Sequence, residues 1–417
     1  MKRLYFAAYI LLITGFMTAC YTPSKMSMTN ISSNYQDQSR NLNVNISAYN
    51  TCSDSTRIYY KFNTGGLFFQ KDMKKNYFFA QYLIKYDLYN ISDIKKIIDS
   101  ASFIITDSVN YNQNTDIIDS LNICLKEPNN YILSLTIIDL NKKFVSTNYL
   151  NIYKNNILNR NNFVIRDEKY QPMVQNYISN DKHFRIFMRE KQIYKLFVKY
   201  YKPTNTIADP PFTLGGKETM SLSADSIFSI DINDGCSAML NFTKNGIYHF
   251  QSDTSKKDGF TLFRFNSDFP KITSAEEMLS PLRYISTKSE FNDLSLMKNT
   301  KGAIDNFWLD KAGNPDRAKE MIKVFYNRVQ DANRYFSSYT EGWKTDRGMI
   351  YIVFGPPYSV YRSPENETWY YGEDRNILSM TLDFKKTQNP FTENDYTLDR
   401  SPEYKDVWYS AVESWRK

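Results

Sequence analysis

Gly342-Trp343-Lys344-Thr345-Asp346-Arg347-Gly348 leads straight into Met349-Ile350-Tyr351-Ile352-Val353-Phe354, and Gly355-Pro356-Pro357 ends the run. Short polar residues between two glycines read as a turn. Six apolar residues without a break read as a strand too continuous to be exposed, hence a buried one. Trp343 supplies a large apolar area with one N–H donor, which suits a core or a pocket wall. Thr345 and Asp346 can accept from nearby backbone N–H groups and shape the turn. Gly348 is expected to permit a positive φ before the strand, and Arg347 to pair with Asp346 or with an acid elsewhere. Two readings follow. The turn is a scaffold that docks a helix onto a sheet, or Trp343, Asp346 and Arg347 wall a small polar pocket for a ligand or partner.

Upstream, Asn314-Pro315 places an N-cap before a proline at the first helical position. Ala318, Ile322, Phe325, Val329, Ala332 and Phe336 then recur at spacings of 4, 3, 4, 3 and 4. That stripe predicts a helix with one buried face. Ser274 before Ala275-Glu276-Glu277 predicts a capped helix start, and Phe291–Lys311 a helix weakened at Gly302. Downstream, Trp369–Gly372 and Leu378–Phe384 read as strands. Trp408, Ala411, Val412 and Trp415 share one face of a last helix. The segment 273–417 is therefore expected to be an α+β domain.

The heptapeptide resembles the signature of the GWxTD domain of bacterial envelope proteins, especially those of the Bacteroidetes. The likeness extends to Phe325-Tyr326-Asn327-Arg328-Val329, Ala332-Asn333 and Phe336 before it. After it come the apolar run, Gly355-Pro356, Trp369-Tyr370-Tyr371 and Trp415-Arg416. It spans about 280–417. The resemblance implies a fold unit and a location more than an activity. Gly342, Trp343, Thr345, Asp346, Arg347, Gly348 and Trp369 are the candidate site residues it marks.

Before this segment the texture is different. Arg57–Phe62, Tyr77–Leu88, Ser102–Ile105 and Tyr131–Asp139 are short aromatic and β-branched runs separated by turn residues, and His183–Met188, Gln192–Tyr201, Ser226–Ile232, Gly246–Gln251 and Phe260–Phe265 continue the pattern. Ile94–Ile98 fits a strand or a helical turn. The expected fold is mostly β: two tandem β-sandwich (Ig-like) modules over 41–155 and 156–272, followed by the α+β domain. One large sandwich is the alternative for 41–272.

The N-terminus MKRLYFAAYILLITGFMTAC has a basic start, an apolar run of about 14–16 residues and a small-residue end, the layout of a secretory leader and short of the ~20 residues that span a bilayer. Its Met17-Thr18-Ala19-Cys20 ending resembles the lipobox of bacterial lipoproteins. The resemblance implies a leader over 1–19, acylation of Cys20 and anchoring in outer-membrane lipid. By the same resemblance, Tyr21 in place of Asp implies that the inner-membrane retention signal is absent, and the lack of acids before Asp37 favours the periplasmic face of the outer membrane over the cell surface. The polar stretch 20–40 reads as a flexible tether. Cys52, Cys124 and Cys236 remain. Cys52 and Cys124 could bridge, or all could be separate buried thiols.

The composition excludes several classes. Gly is only 14 of 417, so the chain is not collagen-like, and aromatics at 16% exclude wholesale disorder. A net charge of +7, falling to +5 once Lys2 and Arg3 are removed, argues against a nucleic-acid partner. Two histidines exclude a histidine-rich metal site, and no cofactor is expected. No G-x-S-x-G, H-E-x-x-H or P-loop occurs, and His183 and His249 read as sheet residues. Paired acids for an envelope hydrolase are not excluded by counting. Asp-Ser-x at Ser55, Ser100, Ser108, Ser120 and Ser226 resembles an O-glycosylation sequon of Bacteroidetes envelope proteins, and equally turn chemistry. The expected function is a non-enzymatic lipoprotein serving an envelope (secretion or transport) protein complex. A glycan- or peptidoglycan-binding lipoprotein is the alternative.

Overall fold

Alternation of apolar and polar side chains along the strands places every second residue in a core. In a computed structural model, which describes residues 25–36, 42–73, 77–109, 115–178, 182–215, 222–372 and 379–417, strand outweighs helix, 38% against 25%. The leader and Cys20 lie outside the described residues. No helix among those described is long and apolar enough to cross a membrane.

A short helix, α1 (Lys25–Met28), and a 3-10 turn over Ser32–Tyr35 come first. The first β unit follows. It contains β1 (Asn45–Asn50), β2 (Ser55–Asn63), β3 (Gln70–Asp72), β4 (Tyr77–Asn90), β5 (Asp93–Val109), β6 (Asp116–Cys124), β7 (Asn130–Asp139) and β8 (Phe144–Tyr153). The sheet β1-β2-β6 faces a second sheet, β3-β4-β7-β8, in which β5 pairs β4. Ile58, Tyr60 and Phe62 of β2 meet Tyr82, Ile84 and Leu88 of β4 and Leu133 and Leu135 of β7 in one core. This is a sandwich. Ile94–Ile98 belongs to β5 and is strand.

The second unit contains β9 (Phe163–Asp167), β10 (Phe184–Met188), β11 (Lys195–Tyr201), β12 (Ser226–Asn233), β13 (Cys236–Ser237), β14 (Gly246–Gln251) and β15 (Phe260–Arg264). Its strands form one continuous path, β15-β14-β11-β12-β13-β10-β9. β12 pairs β11 through Ser226–Asp231 and β13 through Ile232–Asn233, so one strand passes between the two layers. Phe184 and Ile186 of one layer pack with Leu196, Val198 and Phe250 of the other.

The C-terminal unit begins with α2 (Ala275–Leu279), α3 (Lys288–Leu296), α4 (Thr300–Ala312), α5 (Pro315–Phe336) and α6 (Asp346–Phe354). It continues with the antiparallel sheet β16 (Ser359–Arg362), β17 (Asn366–Tyr371), β18 (Met380–Lys386) and β19 (Tyr396–Leu398), and closes with α7 (Tyr404–Ser414). Ser274 caps α2 in a reciprocal box with Glu277, and Asn314 caps α5. The helix expected over Phe291–Lys311 is two. Met297 leaves helical geometry, and the Asn299 side chain restarts the helix by accepting from Gly302 N–H.

Two expectations are corrected here. Met349–Phe354 is buried, but it is the body of helix α6, not a strand. A helix enclosed on all sides is apolar all round and shows no amphipathic period. Residues 25–36, expected within a loose tether, are docked. Ile31 and Tyr35 are 1% and 4% exposed and belong to the core of the C-terminal unit.

Candidate functional site

The two glycines of the heptapeptide are placed by close approach. A β-carbon at Gly342 would overlap the Ala332 carbonyl oxygen of α5, and one at Gly348 the carbonyl oxygen of Gly342. The expected positive φ at Gly348 does not occur: the residue is helical. The turn therefore lies flat against the end of α5. Gly342 N–H donates to Ser337 Oγ at 2.8 Å and Trp343 N–H to Asn333 Oδ1 at 3.1 Å. Thr345 Oγ1 donates to Gly342 O at 2.8 Å and accepts from Gly348 N–H at 3.1 Å, capping α6.

The remaining motif side chains point inward. Trp343 is 7% exposed, meets Tyr284 edge-on and carries Lys344 Nζ 5.6 Å over its ring. Asp346 accepts from Leu398 N–H at 2.9 Å and from both terminal nitrogens of Arg400. Arg347 does not pair with Asp346. It reaches Glu367 at 3.4 Å and Asn394 O at 3.0 Å, and lies 4.1 Å over the Tyr396 ring. Glu367, fully buried, is the hub that sequence reasoning missed. Its Oε1 accepts from Tyr35 OH at 3.0 Å and Trp369 Nε1 at 2.7 Å. Its Oε2 accepts from Arg362 Nε at 2.7 Å. Burial would raise its pKa, but Arg362, Arg347 and these hydrogen bonds hold it down at about 2. Burial pushes the Tyr35 hydroxyl up. Trp343, Asp346, Arg347 and Trp369 are thus all buried, but only Arg347 and Trp369 meet, at Glu367; Asp346 is held by Arg400 and Trp343 by Tyr284, and they do not wall one pocket.

A cavity of about 410 Å³ lies where the three units meet. Tyr49, Tyr149 and Asn151 line it from the first unit, Asn176 and Thr261 from the second, and Arg334, Arg362, Lys386, Glu393 and Asn394 from the third. Arg160 Nη1 and Lys386 Nζ stand 3.7 and 3.6 Å from Glu393, to which Asn151 donates at 2.6 Å. Burial lowers the Lys386 pKa, against the pull of Glu393. The lining is hydrogen-bonding and aromatic, with charges of both signs. Among the described residues no group of three His, Cys, Asp or Glu could hold a metal.

The other singled-out residues lie elsewhere. Ser55, Ser100, Ser108, Ser120 and Ser226 all sit on strands, not turns, with Ser100, Ser108 and Ser226 exposed and Ser55 and Ser120 half-buried. Cys52 and Cys124 are exposed free thiols, and Cys236 is a half-buried one, so the expected bridge and the expected buried thiols are both absent. His249 is a sheet residue whose Nδ1 lies 2.8 Å from Thr261 Oγ1. His183 faces Glu168 at 2.8 Å.

Residues 246–417 match the GWxTD domain family, so the match begins inside the second β unit, at β14. Comparison with curated proteins finds no match. Three solved structures show partial similarity. They are a glycosyl hydrolase family 2 member from Bacteroides cellulosilyticus DSM 14838 (9% identity, 31% of this chain and 16% of that one, TM-score 0.19), the Bacteroides uniformis beta-glucuronidase 2 (8%, 26% and 13%, 0.18), and a putative beta-galactosidase from Bacteroides fragilis (9%, 32% and 19%, 0.18). The chain spans less than a fifth of each of them.

Proposed function

We propose that this chain, which carries a GWxTD domain over residues 246–417, is a lipid-anchored envelope protein of the outer membrane, facing the periplasm, and acts as an interaction subunit of a larger assembly. The lipobox-like Met17-Thr18-Ala19-Cys20 supports the anchoring. One observation carries the interaction role: the motif side chains are spent inside the fold. Trp343, Asp346, Arg347 and Trp369 are each at most 7% exposed, the Trp343 ring packed on Tyr284 and the other three bonded to buried partners. The motif is then a fastening, and partner recognition falls to the outer faces. The test is affinity isolation of the tagged, lipidated chain from gently solubilised membranes. A stoichiometric envelope protein is the expected co-isolate. A solitary chain would overturn the reading.

A second reading is favoured by the cavity. Amides, tyrosine rings and paired charges within about 410 Å³ match the needs of a saccharide unit, which offers hydroxyls to amides and a C–H face to aromatics. Saturable retention on peptidoglycan, lost in Asn151→Ala with folding intact, is its expected signature. Trp343→Ala and Trp369→Ala are unsuitable probes, because both rings are core residues.

A further inference from the structure

The order of units along the chain would set the C-terminal unit farthest from an N-terminal anchor, at the tip of a two-sandwich arm. The contacts of residues 25–36 reverse that order. Ile31 N–H donates to Val360 O at 2.9 Å, and Val360 N–H donates to Asn30 Oδ1 at 3.0 Å, so the segment is tied to β16. Tyr351 OH donates to Tyr35 O at 2.8 Å, and Tyr335 OH to Gln36 O at 3.1 Å. Asn34 accepts from Thr147 N–H of β8 at 3.1 Å. Met26 packs on Tyr89 and Ile132 at the ends of β4 and β7. The segment is therefore a strap across the first and third units.

Cys20 is five residues before Lys25, where the strap begins. Five residues reach at most about 18 Å when fully extended. We infer that the face around the strap's start lies against a bilayer surface, with the C-terminal unit beside the membrane and not at the end of an arm. The inference rests on the lipoprotein reading above, for it needs acyl chains at Cys20. The face has the chemistry such a surface takes. Met28, next to β16, is 59% exposed, and Tyr358, immediately before β16, is 69% exposed. Ile91, in the turn after Tyr89, is 39% exposed. Exposed methionine and tyrosine beside β16, and isoleucine two residues past the Tyr89 on which Met26 packs, suit the boundary between headgroups and acyl chains, where tyrosine keeps its hydroxyl wet.

The experiment uses the full lipidated chain with Cys52, Cys124 and Cys236 replaced by serine and a fluorophore at Tyr358→Cys. The chain is reconstituted in vesicles of phosphatidylethanolamine and phosphatidylglycerol bearing headgroup-attached quenchers. Mass spectrometry of the N-terminal peptide records acylation on the same sample. Acylated Cys20 with several-fold quenching at position 358, reproduced by a Met28→Cys label and absent in a Cys20→Ser chain, is the expected result. Acylated Cys20 without quenching at either position overturns the placement and leaves the lipoprotein reading standing. A non-acylated Cys20 removes the lipoprotein reading and the placement with it. Both labelled positions are exposed, so neither substitution disturbs the core.

Discussion

The hydroxyl of Tyr35 donates to Oε1 of Glu367 across 3.0 Å, joining residues 332 positions apart. The same hydroxyl accepts from Arg362 Nη2 at 2.8 Å, so one side chain of the strap enters the charged centre of the C-terminal unit. Tyr35 also contacts Phe336 and Trp369, with ring centroids 5.1 and 5.6 Å away. Tyr35→Phe keeps the ring contacts and removes both bonds of the hydroxyl. It should lower stability by about 1–2 kcal/mol, and Tyr35→Ala by about 3–5 kcal/mol. Urea unfolding followed by tryptophan fluorescence checks both. A Tyr35→Phe chain as stable as the native one would refute the hydroxyl's part, and equal losses in the two variants would refute the ring's.

Glu367→Gln leaves buried Arg347 and half-buried Arg362 without their counter-charge, a change that typically costs about 3–5 kcal/mol at a buried pair. The pH dependence has a definite sign. A carboxyl at about 2 in the folded chain and at its ordinary 4.5 when unfolded adds stability that is full above pH 4.5. That stability is lost as the pH falls towards 2. The urea midpoint should therefore drop over this window in the native chain and drop less in Glu367→Gln.

His249 adds a second window. It is 2% exposed, beside Phe391 of the C-terminal unit, and burial lowers its pKa from 6.5 to about 4. A base depressed on folding costs nothing above pH 6.5, where both states are neutral. Below that the unfolded chain takes the proton first, so stability falls from pH 6.5 to 4 and then levels. His249→Gln should flatten the midpoint across this range while leaving the lower window in place.

Gly342→Ala and Gly348→Ala each drive a β-carbon into a backbone carbonyl. Either should cost over 3 kcal/mol or prevent folding, on the order of the larger single-site effects known. Gly313, at φ +74° with nothing within 4 Å, provides the contrast. Gly313→Ala meets only the cost of left-handed backbone, about 1–2 kcal/mol. Soluble yield and thermal midpoint separate the two cases.

Much of the C-terminal unit was legible because its signals are local. The stripe from Ala318 to Phe336, the Asn314-Pro315 start and the Ser274 cap each report on residues within a turn or two. Helix α6 was misread as strand because β-branched residues in a short unbroken run carry a strand preference that enclosure overrides. The counter-signal was present: Thr345, Asp346 and Gly348 are the cap, first-turn acid and capped N–H of a helix. The strap was read as tether because its polar residues outnumber Ile31 and Tyr35, and two anchors leave no period. Glu367 gave no signal, since Arg362 and Trp369 lie beside it in the β16–β17 hairpin but Tyr35 and Arg347, which complete the hub, come from distant stretches of chain.

The strap has a consequence for how the chain is made. Tyr35 is among the first described residues to leave the ribosome, while Glu367 and Trp369, which receive it, follow more than 300 residues later. The two β units between them close on contacts of their own. The C-terminal interior does not, for it lacks its aromatic plug until both ends of the polypeptide are present. Synthesis and delivery must be complete before it locks. A chain interrupted between β15 and β17 would present two finished β units and a strap with nothing to hold, a state in which exposed Ile31 and Tyr35 would mark the product for removal.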